Sequence, residues 1–486
     1  MQGEKPAATP KLFAMACVES LVPEDDFYRR VEKAVDFSFV GELARPYYAK
    51  RGRPSIDPIV LSKIMLIGYL EGVARERQLM RQIQVNLSFR RFIGYEIDEE
   101  IPDHSTLSKA RDRFDLQFYE AVFSGIVRQC EEASLIGWRE GAVDATLIEA
   151  NAAMDSLEHK HPTGNPQEYL RIAVAGEPKP KASNKTHQSR TDKDAKIARR
   201  GKGKAFLAYL GHRIVDATKR VIVAVSTTTA DISEGRELKG LLERCARLYG
   251  KLPDLIAADK RYGTGTNLRA LAETGIEAHI PVQEHPNQKG LLSRENFGYQ
   301  EEADCYVCPE GKVLRKIKTL KKERVSQYRA KATDCRECPR RLECCSSEKG
   351  RIVSRSMDEE YVLAARERAV SPAGRKAARM RRSTVEWSFG EGKMYHNLRR
   401  AQWRGLRKVA IQNLLEATAQ NVKRLVEAHD MRSRAAAAAA ARQLLHALEA
   451  ANILYGRLME GTWRVIDGFL PKRALPAHAM SFCDWK

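Results

Sequence analysis

The order of β and α patterns between residues 140 and 284 narrows the fold more than any other feature of the chain. Gly141-Ala-Val-Asp-Ala-Thr-Leu-Ile-Glu-Ala150 reads as a strand with a carboxylate, Asp144, in its middle. Residues 205–216 and 221–229 are two further β-rich runs joined by Ala-Thr-Lys-Arg, the pattern of a hairpin. A helical stretch over 233–249 leads into Pro253-Asp-Leu-Ile-Ala-Ala-Asp-Lys-Arg-Tyr-Gly263. That is a short buried strand with Asp259 at its carboxyl end, followed by a glycine turn. A helix over 266–274 and a strand over 277–282 continue the alternation. Strands in a row, then strand-helix alternation, suit a mixed sheet covered by helices. Ligands of such sheets meet the carboxyl ends of the strands, where the pattern puts Asp259.

Upstream the texture is helical. Asp57-Pro58 is a side-chain cap followed by proline at the first helical position. Leu61, Ile64, Met65, Gly68 and Tyr69 then fall on one stripe. A second helical stretch spans about 76–93, and a third 116–136. Between them, Ile101-Pro-Asp-His-Ser-Thr-Leu-Ser108 reads as a turn with a Ser105/Thr106 cap, opening a short polar helix through Lys109 and Arg113. Such a helix suits the major groove as the second helix of a helix-turn-helix; a helical bundle with solvated basic residues accounts for the pattern equally well.

The charge is concentrated. The net formal charge is +20. Residues 178–204 hold ten Lys/Arg against two acids, 312–324 seven against one, and 372–408 eleven against two. Concentrated positive charge is the footprint of a polyanion. Nucleic acid is favoured over an acidic membrane surface, because the chain has no amphipathic anchor. It also has no apolar run long enough for a membrane span. The start lacks a signal peptide's basic end and apolar core, so a cytoplasmic, nucleoid-associated protein is expected. The polar, Lys-rich stretch 155–204 reads as a basic mobile insertion.

Arg382-Ser-Thr-Val-Glu386-Trp-Ser-Phe-Gly-Glu-Gly-Lys393 reads as a helix. At about 100° per residue, Arg382, Glu386 and Lys393 fall within about 40° of one another on one face. A carboxylate flanked by cations suits a group that holds a metal beside a phosphate, although surface pairing at this spacing is common. Asp144, Asp259 and Glu386, from three separated elements, form a set of hard oxygen donors suited to Mg²⁺ or Mn²⁺. Two such ions about 4 Å apart can activate an attacking oxygen and stabilise a leaving one. Trp387 and Trp403 are candidates for stacking on an unpaired base, or core aromatics.

Six of the ten cysteines crowd into 305–345: Cys305-Tyr-Val-Cys308, Cys335-Arg-Glu-Cys338, Cys344 and Cys345. Paired Cys-x-x-Cys spacing fits structural zinc, and a reduced, metal-free loop is the alternative. The Ala-rich run 435–441 is strongly helix-forming and has no evident chemistry.

Taken together, these stretches resemble the DDE transposases of bacterial insertion sequences, which have an RNase H-like core. The resemblance spans about residues 50–425. It rests on Ile101-Pro-Asp-His-Ser-Thr-Leu-Ser, Val143-Asp144-Ala-Thr, Ala258-Asp259-Lys-Arg-Tyr-Gly, the Cys-Pro-Glu-Gly and Cys-x-x-Cys insertion, and the glutamate helix. That family's helix follows Tyr-x₂-Arg-x₃-Glu-x₆-Lys. Arg382, Glu386 and Lys393 match, and Arg379 occupies the tyrosine position. The resemblance implies an α/β RNase H-like mixed-sheet core with a helical N-terminal domain and a cysteine-rich insertion. It implies that Asp144, Asp259 and Glu386 bind two Mg²⁺ (or Mn²⁺) ions to nick the element's ends and join the freed 3′-hydroxyl to target DNA. Arg382, Lys393 and Arg379 would contact DNA there, and Ser105, Thr106, Lys109 and Arg113 would contact the terminal inverted repeats. Cys308, Cys335, Cys338 and Cys344 are the implied Zn²⁺ set. Paired ends imply a homodimer on double-stranded DNA. The expected divisions are 1–136, 137–284, 285–357, 358–428 and 429–486. Two other readings share these features: an inactive zinc-containing DNA-binding protein, and an RNase H-like nuclease without strand transfer.

Overall fold

The long strand Glu140–Glu149 (β1) buries Ala142, Val143 and Ile148 fully, and its β-branched Val143, Thr146 and Ile148 suit a pleated sheet. It is the centre of the main sheet in the computed structural model, which describes residues 17–49, 51, 55–160, 182–282, 291–321 and 324–469. The strands that follow are Leu157–His159 (β2), His187–Ser189 (β3), Lys196–Arg199 (β4), Ala205–Asp216 (β5), Val221–Thr229 (β6), Leu255–Ala257 (β7) and Glu277–His279 (β8). The main sheet runs β4-β5-β1-β7-β8, with β6 also on β5. β1, β5 and β6 are antiparallel, whereas β7 and β8 continue in parallel with β1. A mixed sheet results, as in an RNase H-like core.

Of the basic stretch 155–204, the described residues 155–160 and 182–204 include strands. β4 joins the main sheet, β2 pairs with β3, and Asp192 accepts from the Tyr209 hydroxyl at 2.6 Å. Residues 161–181 of that stretch lie outside the described residues.

The N-terminal region is helical, and the expected helix over 76–93 is two, Glu76–Val85 and Leu87–Ile93. Between them Asn86 breaks the path and caps the second, its side chain accepting from the N–H groups of Ser88 and Phe89. The polar helix is His104–Arg113, capped by Asp103 on the Ser105 N–H rather than by Ser105/Thr106. These helices dock on the core: the buried His396 ring bonds the Tyr69 carbonyl at 2.7 Å, and Arg407 donates to the carbonyls of Arg111 and Phe114.

The cysteine-rich segment forms its own antiparallel sheet of five strands: Gly298–Gln300, Cys305–Val307, Val313–Leu320, Val325–Ala330 and Ile352–Ser356. Its small core is built on Tyr306, Leu314, Tyr328 and Val353. Helices Glu359–Val370 and Pro372–Arg381 return the chain to the main sheet. The last helix, Leu406–Phe469, presses its first turns against β5 and β6 through a fully buried Arg213–Glu416 ion pair and the amide of Asn421 on Ile222. One compact unit reaches Glu427, and a second begins at Ala428.

Candidate active site

Strand register explains why two aspartates distant in sequence meet. β1 and β7 are parallel neighbours with Ala142 opposite Ala257. Asp144 and Asp259 each lie two residues further along, and adjacent strands are about 4.8 Å apart. Asp144 lies within its strand, where its Oδ1 accepts the Ala145 N–H at 2.8 Å. Asp259 lies beyond its strand in a turn, with Oδ1 accepting the Arg261 N–H at 2.8 Å.

A third carboxylate joins them that the sequence patterns did not single out. Ligand oxygens of Asp144, Glu234 and Asp259 all lie within 4.8 Å of one another, and Glu234 is buried. Glu234 opens the 3₁₀ turn after β6 and pairs with Arg261. The turn is packed onto the Asp259 turn: Asn267 Nδ2 donates to the carbonyls of both Gly235 (2.8 Å) and Tyr262 (3.0 Å). Its only signal in the sequence was an acid between a strand and a helix, which is ordinary linker composition.

Glu386 reaches the group differently. Residues Arg382–Glu386 form a π-helical turn between the helices Pro372–Arg381 and Trp387–Tyr395. In an α-helix, side chains five residues apart diverge by about 140°. The i→i+5 turn brings such residues onto nearly the same face, and single π turns recur at functional sites. Arg381 therefore faces Glu386. Its guanidinium bridges Asp144 Oδ2 at 2.6 Å and Glu386 Oε1 at 2.9 Å. Arg382 and Arg379 are exposed on other sides.

Lys393 donates to Thr146 Oγ1, two residues beyond Asp144 on the same strand. Burial, then the nearby Arg200, Arg213 and Arg399, pull its ammonium down to about 8. Burial pushes the Asp144 carboxyl above the usual aspartate range; the Ala145 N–H and Arg381 oppose this, while Asp259 and Glu386 add to it. Burial likewise raises Glu234, against the pull of Arg261. A crowded set of partly desolvated carboxylates with two guanidiniums as counter-charge suits a hard divalent cation, which would relieve their mutual repulsion.

The cysteines behave otherwise. Among the described residues, the acidic trio is the one group of three or more metal-ligand side chains gathered at this distance. Cys308, Cys335 and Cys344 pack around the insertion's apolar core, and burial raises the thiols of Cys335 and Cys344. Among the described residues, the expected Zn²⁺ set of Cys308, Cys335, Cys338 and Cys344 is not drawn together within that distance, although Cys335 and Cys344 lie near enough to Cys338 and Cys345 to feel their charge.

Of the other candidates, Lys109 and Arg113 are exposed, with Arg113 lying over the Tyr48 ring at 4.8 Å; Ser105 and Thr106 are half-buried. Trp387 is held between the guanidiniums of Arg220 and Arg424, and Trp403 lies under Arg111. No described helix is long and apolar enough to cross a membrane.

Comparison with known families agrees with this architecture. Residues 16–113 match the model of a "Transposase domain (DUF772)", and residues 307–426 that of a "Transposase DDE domain". Both matched stretches, together less than half of the chain, are of transposase families, the second of the DDE type, whose enzymes are polynucleotidyl transferases. The second match includes Glu386; Asp144 and Asp259 lie outside both. A cryo-EM structure of a piggyBac transposase synaptic complex with hairpin DNA is similar over 83% of this chain and 78% of that one. Identity is 9% and the TM-score 0.32. No curated protein sequence matches the chain.

Proposed function

We propose that the protein cuts the ends of an insertion sequence and joins them to target DNA, with Asp144, Asp259 and Glu386 as the catalytic carboxylates and Glu234 as their buried support. The observation behind this reading is the convergence of Asp144, Asp259 and Glu234, with Glu386 tied in through one guanidinium. The donor set fits Mg²⁺ or Mn²⁺, and a bound pair of ions there supplies charge neutralisation at the reacting phosphate and a more acidic attacking hydroxyl.

The chain's own groups position the DNA. Lys393, on the Asp144 strand side, and the exposed Arg382 and Arg379 grip phosphates beside the scissile bond. In the first step water attacks phosphorus, the 3′-oxygen leaves, and a 3′-hydroxyl is freed. In the second, that hydroxyl attacks a target phosphodiester and the target's own 3′-oxygen leaves. Ser105, Thr106, Lys109 and Arg113 face the terminal repeats from a helix-turn-helix in residues 1–136. The core is divided around the cysteine-rich segment 285–357, and a homodimer holds paired ends on bacterial nucleoid DNA.

The test is cleavage and joining on DNA bearing the element's own ends, with Mg²⁺, comparing the wild type with Glu386→Gln. Loss of both products, with end binding retained, is expected. Equal cutting by the two proteins would remove Glu386 from the site. Binding without cutting by either would favour a DNA-binding protein alone, and cutting without joining a plain nuclease.

A further inference from the structure

Beyond the end of β1 lies a cleft that none of these assignments uses. It has a volume of about 340 Å³ and is lined by Asn151, Ser156, Arg190, Arg400 and Arg404, with Asp155 the one acid at its rim. We propose that this cleft is a second binding site for the phosphodiester backbone of DNA, gripped by Arg190, Arg400 and Arg404 at a distance from the carboxylates.

The backbone beneath these arginines is fixed. The Glu149 N–H donates to the Arg399 carbonyl at 3.1 Å and the Ala401 N–H to the Glu149 carbonyl at 2.7 Å, so residues 399–401 continue the sheet alongside β1. The fully buried Gln412 amide ties that segment from within, donating to the carbonyls of Asn397 and Arg400 and accepting the Gln402 N–H. Asn151 donates to the Gln402 carbonyl, and Arg404 Nε to the Asn151 carbonyl, both at 3.1 Å. On the opposite wall the Arg190 N–H donates to the Ser156 carbonyl at 2.9 Å.

The side chains are not neutralised in the same way. Arg190, Arg400 and Arg404 are exposed, and among the described residues none of the three forms an ion pair with a carboxylate. Three guanidiniums held around one cleft repel one another unless an anion lies between them. Planar bidentate donors in this number suit phosphate oxygens.

Continuity with the catalytic strand singles out DNA over a small phosphate. Counting from Asp144, Lys393 meets Thr146, the Arg200 guanidinium meets the Leu147 carbonyl at 3.3 Å, Arg399 flanks Glu149, and Arg404 meets Asn151. A cation recurs every one to two residues, at about 3.3 Å per residue. The cleft is thus about 20 Å from Asp144, or about six nucleotides of B-form rise. This distance, and with it the choice of DNA over a small phosphate, rests on Asp144 being the reacting centre.

Each phosphate neutralised lowers the slope of log K against log salt by about 0.9 for duplex DNA. The test measures binding of the full chain to a mixed-sequence duplex in EDTA, so that no cleavage intervenes, across a salt series. Arg190→Gln/Arg400→Gln/Arg404→Gln is expected to reduce the slope by about 2.7, and Arg400→Gln alone by about 0.9. A triple variant with native melting and a slope within about 0.5 of wild type overturns the proposal. If the triple variant does not fold, Arg400→Gln decides by the same criterion. Inorganic phosphate is the control ligand: equal protection of the cleft by millimolar phosphate and by DNA would overturn the DNA assignment. Because binding is read without metal, failure of the cleavage experiment leaves this result intact.

Discussion

Arg381 occupies the place where a divalent cation would have to neutralise Asp144 and Glu386. Its two terminal nitrogens take one oxygen from each carboxylate, at 2.6 and 2.9 Å. Charge-assisted bonds of this kind contribute about 1.5–3 kcal/mol each where they are partly buried. Arg381 and Asp144 are 16% and 17% exposed, but Glu386 is 48% exposed, so solvent screens the bond to Glu386 more strongly and that bond contributes less. A cation entering the site competes for the same oxygens. Arg381→Ala is therefore expected to tighten Mn²⁺ binding by about tenfold in the absence of DNA, equivalent to about 1.4 kcal/mol. Arg382→Ala, on an exposed side chain, should leave it unchanged. Electron paramagnetic resonance of free Mn²⁺ reads both. Weaker binding in Arg381→Ala would show that the guanidinium organises the carboxylates rather than competing for them.

At the level of elements, the site depends on two local departures from regular structure, and these are where the sequence was least informative. β1, the β5–β6 hairpin and the delivery of Asp259 after β7 were legible because period-2 apolar patterns and a glycine turn leave few alternatives. The π turn was not. Arg-Ser-Thr-Val-Glu carries no glycine or proline to announce it, so the 3.6-residue period put Arg382, not Arg381, beside Glu386. β3 and β4 were hidden by a Lys-rich composition without apolar alternation. Glu234 needed tertiary closure: its turn is placed by contact with residues some thirty positions away. That contact is close. A Cβ on Gly235 would lie 2.5 Å from the Arg261 carbonyl oxygen, so backbone must shift to admit one. Gly235→Ala is expected to cost about 1–3 kcal/mol. It should also loosen Mn²⁺ binding by moving Glu234 away from Asp259. Calorimetry with a parallel Mn²⁺ titration tests this; an unchanged melting temperature would show that the two turns are not coupled.

Across the whole molecule, the last helix links regions of unequal packing. Its first turns are part of the core. Glu416 pairs with Arg213 where both are wholly buried, Asn413 donates to the Ser226 carbonyl at 3.0 Å, and Asn421 holds both backbone groups of Ile222. Breaking such a network leaves buried charge uncompensated. The described side chains after Asp430 are all exposed, from Met431 through His446. An Ala-rich run in that setting is helical by propensity, with little burial to hold it. The catalytic unit's stability should therefore depend on the helix only as far as about that point. A chain ending at Asp430 is expected to keep its cooperative unfolding, with a melting temperature within about 3 °C of the full chain, a shift that corresponds to about 1 kcal/mol. Its Mn²⁺ binding should be unchanged. A chain ending at Gly405, lacking Glu416, should lose the cooperative transition altogether, because Arg213 would remain buried without its partner. Calorimetry of the two truncations decides the matter, and a large destabilisation in the longer one would mean that the residues after Asp430 are packed against the catalytic unit in solution.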